Sequence, residues 1–264
     1  MPGPDLMHEI IYGIHPVSEA LNAEKRKFYR IYVSCRKDNE RKDNRRITAI
    51  ENMAEKAGIP IETIPDSRLS TITTHAVHQG IAAETSPFRL VGLDEMLHEA
   101  LHGIRSVSKN QTPFILMADS ISDAGNLGAL IRTSVCAGLT GIIIPKNRSA
   151  RPSPAVSKAS AGAMEHALIC RATNLSDTMK ILKKNGFWIV GLDRDADMAI
   201  YEADMTGPTA LVIGGEDTGI RPLVLRNCDL SCNIPQTGPV NSLNASVAAA
   251  VAIYETIRQK TLKG

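Results

Sequence analysis

From Pro113 onward the chain alternates short apolar runs with stretches of helical spacing. The runs PFILMAD (113–119), GIIIP (141–145), HALIC (166–170), FWIVGL (187–192) and TALVIGG (209–215) are apolar at nearly every position. Between and after them lie NLGALIRTSVCAG (126–138) and LNASVAAAVAIYETIRQK (243–260), both spaced as helices. A strand with no polar alternation is buried on both faces. Parallel strands with helices packed on either side are the arrangement that buries them. The pattern predicts an α/β domain built on a parallel sheet, assigned to residues 111–264.

Residues 5–87 read as a second, smaller α/β unit. HPVSEALNAE (15–24) has helical spacing, and FYRIYVS (28–34) has the aromatic and β-branched content of a strand. ERKDNRRITAIENMAEKAG (40–58) places Ile47, Ile50, Met53, Ala54 and Ala57 on one helical face, with Gly58 as its stop. IPIETI (59–64) and GIAAET (80–85) are strand candidates, with Asp66 expected to cap a brief helix between them. A linker, 88–110, carries one amphipathic helix, LDEMLHEALHGI (93–104).

The chain's net charge of +2 conceals a local excess. Between Glu24 and Arg46 ten basic residues face four acidic ones, +6 in one segment. A concentrated basic segment on a near-neutral protein points to a polyanion partner, against the alternative of a solvated helix face. Hydrophobic residues at 43% and charged residues at 22% exclude a largely disordered chain. No run approaches the roughly 18 apolar residues of a membrane span. MPGPDLMHEIIYG lacks the basic and apolar regions of a secretory leader. Five scattered cysteines fit a reducing compartment, the cytoplasm, better than a disulfide framework.

Several motifs weigh little. HEALH (98–102) has the H-E-x-x-H spacing that puts two histidines on one helix face, but no third ligand has a supporting context. Cys228 and Cys232 lack the second ligand pair of a zinc ribbon, so they are expected as packed or surface thiols and no metal site is expected. Neither a Walker A sequence nor G-x-G-x-x-G occurs.

Three segments at strand ends carry more. Asp123-Ala-Gly-Asn126-Leu-Gly-Ala-Leu-Ile-Arg132 opens a helix that Asn126 can cap. Ile213-Gly214-Gly215-Glu216-Asp217-Thr218-Gly219-Ile220 pairs glycines after a strand, which admits close approach of a ligand to backbone. Ile234-Pro235 through Gly238, Pro239, Asn241, Ser242, Leu243, Asn244 and Ser246 supplies more small polar residues than a helix cap needs, since one of Asn241 or Ser242 would serve as the cap. Together they resemble the three motifs of the SpoU (TrmH-like) branch of the SPOUT RNA methyltransferases. N-x-G-x-x-x-R falls on Asn126, Gly128 and Arg132, and G-x-E-x-x-G on Gly214, Glu216 and Gly219. The closing motif falls on Ile234, Pro235, Ser242, Leu243, Asn244 and Ser246. Asp217, Thr218, Gln236 and Pro239 depart from the residues usual there. IYGIHPVSEAL (11–21) and VHQGIAAE (77–84) resemble the substrate-binding domain of the bacterial large-subunit rRNA guanosine-2′-O-methyltransferase subgroup, so the resemblance spans nearly the whole chain.

The resemblance implies a C-terminal α/β domain with a parallel sheet and a deep trefoil knot, an exception to the un-knotted rule. It also implies a small N-terminal RNA-binding α/β domain of ribosomal-protein type, and a homodimer. S-adenosylmethionine is the implied cofactor, held by Gly214, Ile234, Leu243 and Ile213. The implied activity is 2′-O-methylation of RNA, most of all of a guanosine in large-subunit rRNA. Arg132 would clamp a phosphate and stabilise the developing alkoxide, with Asn126, Glu216, Ser242 and Asn244 positioning arginine, ribose and cofactor. The alternatives are a tRNA 2′-O-methyltransferase and a non-catalytic rRNA-binding assembly factor.

Overall fold

A computed structural model describes residues 8–35, 41–102, 112–216, 218–239 and 242–263, excluding the side chains of 41–44 and 263. The chain divides into two compact units. One takes Met1–Arg89 together with Pro152–His166, the other Leu90–Arg151 together with Ala167–Gly264. Among the described residues no helix is long and apolar enough to cross a membrane.

The smaller unit holds a four-stranded sheet of β1 (Glu9–Tyr12), β4 (Ile81–Thr85), β2 (Phe28–Ser34) and β3 (Ile61–Ile64), in that spatial order. Strand β4 is antiparallel to both neighbours, whereas β2 and β3 are parallel. Helices α1 (Ile14–Ala23) and α2 (Arg41–Lys56) cover one face through Ile14, Val17, Ile47 and Ile50, packed on Ile11, Ile31 and Ile81. Helix α3 (Asp66–Ile72) covers the other face, with Leu69 against Ile64 and Ala82. Gly58 follows α2 with φ 68°, the left-handed stop its sequence predicts. Asp66, expected from the sequence to cap α3, is not its cap. That position is Pro65, which has no side-chain acceptor, and Asp66 lies in the first turn, where its charge suits the helix N-terminus. Strand β1 had not been expected; its four residues give too short a pattern.

Helix α6 (Pro154–Ala159) and a 3₁₀ turn (Ala163–His166) belong to this unit although they follow α5 (Ala124–Cys136) and β6 (Gly141–Pro145) of the larger one in the chain. The reason is a buried charge. Glu165, with only 1% of its side chain exposed, accepts from the Arg26 guanidinium at 2.6 and 3.1 Å and from Ser157 Oγ at 2.9 Å. Arg26, 2% exposed, also pairs with Glu9. This corrects one part of the basic-segment reading, because a sealed Arg26 has no free face for a polyanion. Arg30 is engaged as well, by Glu62. Arg45 and Arg46 are exposed on α2, whereas Arg36, Lys37 and the side chains of Arg41 and Lys42 lie outside the described residues.

The larger unit is built on six parallel strands in the order β10-β8-β9-β5-β6-β7. They are β5 (Phe114–Asp119), β6 (Gly141–Pro145), β7 (Ile169–Ala172), β8 (Trp188–Leu192), β9 (Thr209–Gly214) and β10 (Leu230–Cys232). Ile115 and Met117 of β5 pack into one core with α4 (Leu93–His102), α7 (Leu175–Lys184) and α8 (Pro222–Arg226). Leu116 between them is equally buried, so the opposite face is covered too. Helices α5 (Ala124–Cys136) and α9 (Ala245–Lys263) pack on each other there and reach β6 and β9. The expected α/β class with a parallel sheet is the fold observed. The three-residue β10 is the strand that the sequence pattern did not disclose.

Candidate functional site

The C-terminal ends of β5, β8, β9 and β10 meet at one rim of the sheet, the usual place for a ligand in an open α/β sheet. At that rim Asp119 ends β5 beside Gly214 at the end of β9. The carboxylate of Asp119 is fully buried. It accepts from the Arg221 backbone N–H at 2.9 Å and from the Arg221 guanidinium at 2.8 and 2.7 Å. A buried carboxylate needs such partners, and this pair pins the chain after β9 to the tip of β5. Sequence reasoning missed it. Its one trace is an acid closing an otherwise apolar run, and nothing in the sequence names a partner 102 residues away.

The glycines of the second motif are explained by this pinning. A Cβ on Gly214 would lie 2.0 Å from the carbonyl carbon of Gly219 and 2.2 Å from the Ile220 nitrogen. A Cβ on Gly215 would lie 2.7 Å from the Ser120 carbonyl oxygen. The close approach expected of a ligand is thus first an approach of the chain to itself. The Gly219 N–H closes the turn onto the Gly215 carbonyl at 2.9 Å. Asp217 lies outside the described residues.

Asn244 joins the three motifs. Its side-chain carbonyl accepts from the backbone N–H groups of Ser246 at 2.9 Å and Val247 at 3.3 Å, and from Ser246 Oγ at 2.6 Å, which makes Asn244 the N-cap of α9. Its amide nitrogen donates to Asn126 Oδ1 at 2.9 Å and to Glu216 Oε1. Both N–H donors and the carbonyl are spent. Flipping the amide would set donors against donors and acceptors against acceptors, so its orientation is fixed. Two cap expectations change as a result. Helix α5 is capped by Asp123, whose Oδ1 accepts from the Asn126 N–H at 2.7 Å, and this leaves the Asn126 side chain free to meet Asn244. The cap of α9 is Asn244 rather than Ser242; Asn241, the other candidate, lies outside the described residues.

Two cavities flank this node. One, of about 400 Å³, is lined by Ile213, Gly214, Ile234, Ser242 and Leu243 together with Glu216. Ile234 is half-buried and Leu243 is 41% exposed, so two apolar side chains border a space that Asp193, Arg194 and Asp195 also line. Its volume and lining are those of a small-molecule site. The other, of about 510 Å³, is lined by Asn126 and Glu216 with Ser120, Arg148 and Arg221 among its walls. Arg132 is exposed on α5, lines neither cavity, and has no hydrogen bond or ion pair among the described residues. The structure therefore gathers every residue proposed from the sequence around the node except Arg132, which stands six residues along α5 from Asn126, about 9 Å of helical rise.

The motifs given little weight have other surroundings. His98 and His102 lie on the exposed side of α4, ring centroids 5.5 Å apart, and the same helix buries Met96 and Leu97. Among the described residues no group of three His, Cys, Asp or Glu side chains converges on a metal position. Burial pushes the Cys228 thiol up to about 12 and the Cys232 thiol to about 11, as packed thiols.

Residues 113–254 match the SpoU rRNA Methylase family, and residues 10–91 match a family described as RNA 2′-O ribose methyltransferase substrate binding. Two relatives are the 23S rRNA (guanosine-2′-O-)-methyltransferases RlmB of Photorhabdus laumondii and Yersinia pestis. They are 36% and 37% identical over 255 and 257 residues, covering 97% of this chain and 100% of each relative. Among solved structures, the SpoU methyltransferase AviRb from Streptomyces viridochromogenes in complex with the cofactor AdoMet superposes with a TM-score of 0.76. That match has 20% identity and covers 97% of this chain and 92% of the other.

Proposed function

The chain belongs to the SpoU rRNA methylase family, and from that membership we propose that it methylates a ribose 2′-hydroxyl of large-subunit rRNA, at a guanosine, with S-adenosylmethionine as donor. The observation that carries the reading is the Asn244 node, where one amide group ties Asn126 and Glu216 together beside a cavity of cofactor size. The relatives that match end to end are named for this activity, and residues 10–91 match a substrate-binding family.

The residues present fit the cofactor. Ile234 and Leu243 offer apolar flanks for a purine face, and Ile213 and Gly214 offer a strand end with no bulky side chain beyond it. S-adenosylmethionine, when bound, supplies an already activated methyl group. What is asked of the chain is therefore in-line placement of the acceptor oxygen and stabilisation of the charge it develops. The node holds Glu216 and Asn126 at the boundary of the two cavities, where donor and acceptor would meet. Arg132 is the phosphate clamp and alkoxide stabiliser in this proposal; a guanidinium stays protonated and serves as an electrostatic group rather than a base. Ser242 and Asn244 position these partners.

The trefoil knot, the cytoplasmic setting and the homodimer are part of the same proposal. Val247 and Tyr254, seven residues apart on one face of α9, are 49% and 53% exposed, which supports a subunit contact along that helix. Cavities of about 400 and 510 Å³ suit one cofactor and one extruded nucleoside rather than a stacked duplex. The test is transfer of labelled methyl from S-adenosylmethionine to large-subunit rRNA, with mapping of 2′-O-methyls in cells with and without the gene. A methyl found on tRNA alone, or on no RNA, overturns the reading.

A further inference from the structure

We propose that Arg148 is a phosphodiester-binding residue, holding the backbone of the RNA next to the nucleotide that receives the methyl. The inference rests on the methyltransferase reading and deepens it by assigning the second cavity a ligand group.

Three observations converge on this residue. Arg148 lines the cavity that shares Glu216 and Asn126 with the node, and it is absent from the walls of the cavity assigned to the cofactor. Its guanidinium is exposed and has no hydrogen bond or ion pair among the described residues. The other charged groups around the same cavity are engaged. Arg221 is taken by Asp119, Asp123 caps α5, and Glu216 accepts from Asn244. Arg148 is left as a cation available to a ligand.

The backbone adds a third point. Arg148 has φ 57°, a left-handed conformation uncommon for a residue with a Cβ. The turn is held there by its neighbours, which bond to a single carbonyl. Ser149 Oγ donates to the Ile121 oxygen at 3.0 Å and the Ala150 N–H donates to the same oxygen at 2.7 Å. The strained turn is thus tied to the loop after β5, which lines the same cavity. Strain maintained beside a cavity is an observation that points toward use.

The chemistry selects the ligand. A ribose 2′-hydroxyl in RNA has a phosphodiester on either side, so a cavity that receives the ribose must also receive a phosphate. An arginine fork matches two phosphate oxygens at once. The carboxylate of the cofactor is the other anion near at hand, and the experiment separates the two.

The test compares the full chain with Arg148→Gly and Arg148→Lys. Glycine accepts the left-handed backbone without strain, so its fold is retained. Binding to an rRNA fragment is followed over a potassium chloride series, with calorimetry of S-adenosylmethionine and methyl transfer by the unaltered protein alongside. Loss of one phosphate contact predicts that the glycine variant binds RNA at least roughly tenfold more weakly at low salt. Its plot of log affinity against log salt should flatten by about 0.7 to 0.9. Cofactor affinity should be unchanged, and Arg148→Lys should keep the salt slope while losing part of the affinity. An unaltered slope in Arg148→Gly overturns the proposal. So does a loss of cofactor affinity with RNA binding intact, which would assign the guanidinium to the cofactor carboxylate. Absence of methyl transfer by the unaltered protein overturns the underlying reading and this assignment with it.

Discussion

The two units both use a small polar network to join distant stretches of chain, yet they place it in opposite surroundings. In the smaller unit Arg26 and Glu165 are sealed from water, and Ser157 and Glu9 complete their bonding. In the larger unit Asn244, Asn126 and Glu216 sit at the rim of two cavities, open to whatever enters. The first network is made of full charges and the second is centred on a neutral amide. Charges in a sealed site are bound to one another and have nothing left to offer. An amide at a strand-end rim can fix the positions of its neighbours while their remaining lone pairs face a ligand. Position relative to the sheet rim, rather than residue type alone, separates a structural network from a functional one.

The largest effect is expected at Arg26. Replacing it by alanine strands the carboxylate of Glu165 without its cation, and loss of one partner of a buried pair costs about 3–5 kcal/mol. Denaturant unfolding of the full chain should show a loss of that order. Cofactor affinity, measured where the variant is still folded, should be unchanged. A loss under about 1 kcal/mol would mean that the pair is not sealed.

Arg132→Ala probes the opposite case, an exposed arginine whose loss leaves the fold alone. Methyl transfer should fall by roughly 10²–10³-fold, the scale of a lost transition-state contact. Cofactor affinity should hold, since Arg132 does not line the cavity assigned to the cofactor. A variant that keeps more than about a tenth of the rate would remove Arg132 from the reaction.

Asn244→Asp separates helix capping from tethering of Asn126 and Glu216 within the node. Aspartate caps a helix as well as asparagine does, so the start of α9 should be kept. The loss of unfolding free energy should not exceed about 1.5–3 kcal/mol, that of the lost bond to a charged group. Both N–H donors are lost, and a second carboxylate faces Glu216. A hydrogen bond to a charged group is worth about 1.5–3 kcal/mol, which corresponds to a tenfold or larger loss of methyl transfer. Unaltered transfer would make Asn244 a cap and nothing more.

The smallest effect is expected at α4. Its histidines belong to neither network, so treatment with a chelator should leave methyl transfer as it was. Elemental analysis that found one zinc per chain would reopen the H-E-x-x-H motif.

Much of this was legible in the sequence, for reasons that differ by element. Strands β5, β6, β8 and β9 announce themselves because burial on both faces removes polar alternation. Strands β1 and β10 do not, because four and three residues are too few for a period. Site residues were legible as a set, while their bonds were not. Asn126 looked like a cap because nothing in the sequence says that Asp123 takes the helix N-terminus first. The glycines at 214 and 215 looked like room for a ligand because a crossing of backbone by backbone leaves the same one-letter trace. Asp119 and Arg221 were missed because their pairing exists only once β5 and β9 lie side by side.

The double duty of Asn244 has a consequence for how this chain can drift. Asparagine, aspartate and serine are near-equals as helix caps, so exchange among them at 244 keeps the start of α9. Of the three, asparagine alone also offers the paired N–H donors that reach Asn126 and Glu216. A duplicated copy released from enzymatic duty would lose that asparagine without losing its shape. The residue at 244 in any descendant then serves as a marker of whether the copy is still held to its reaction.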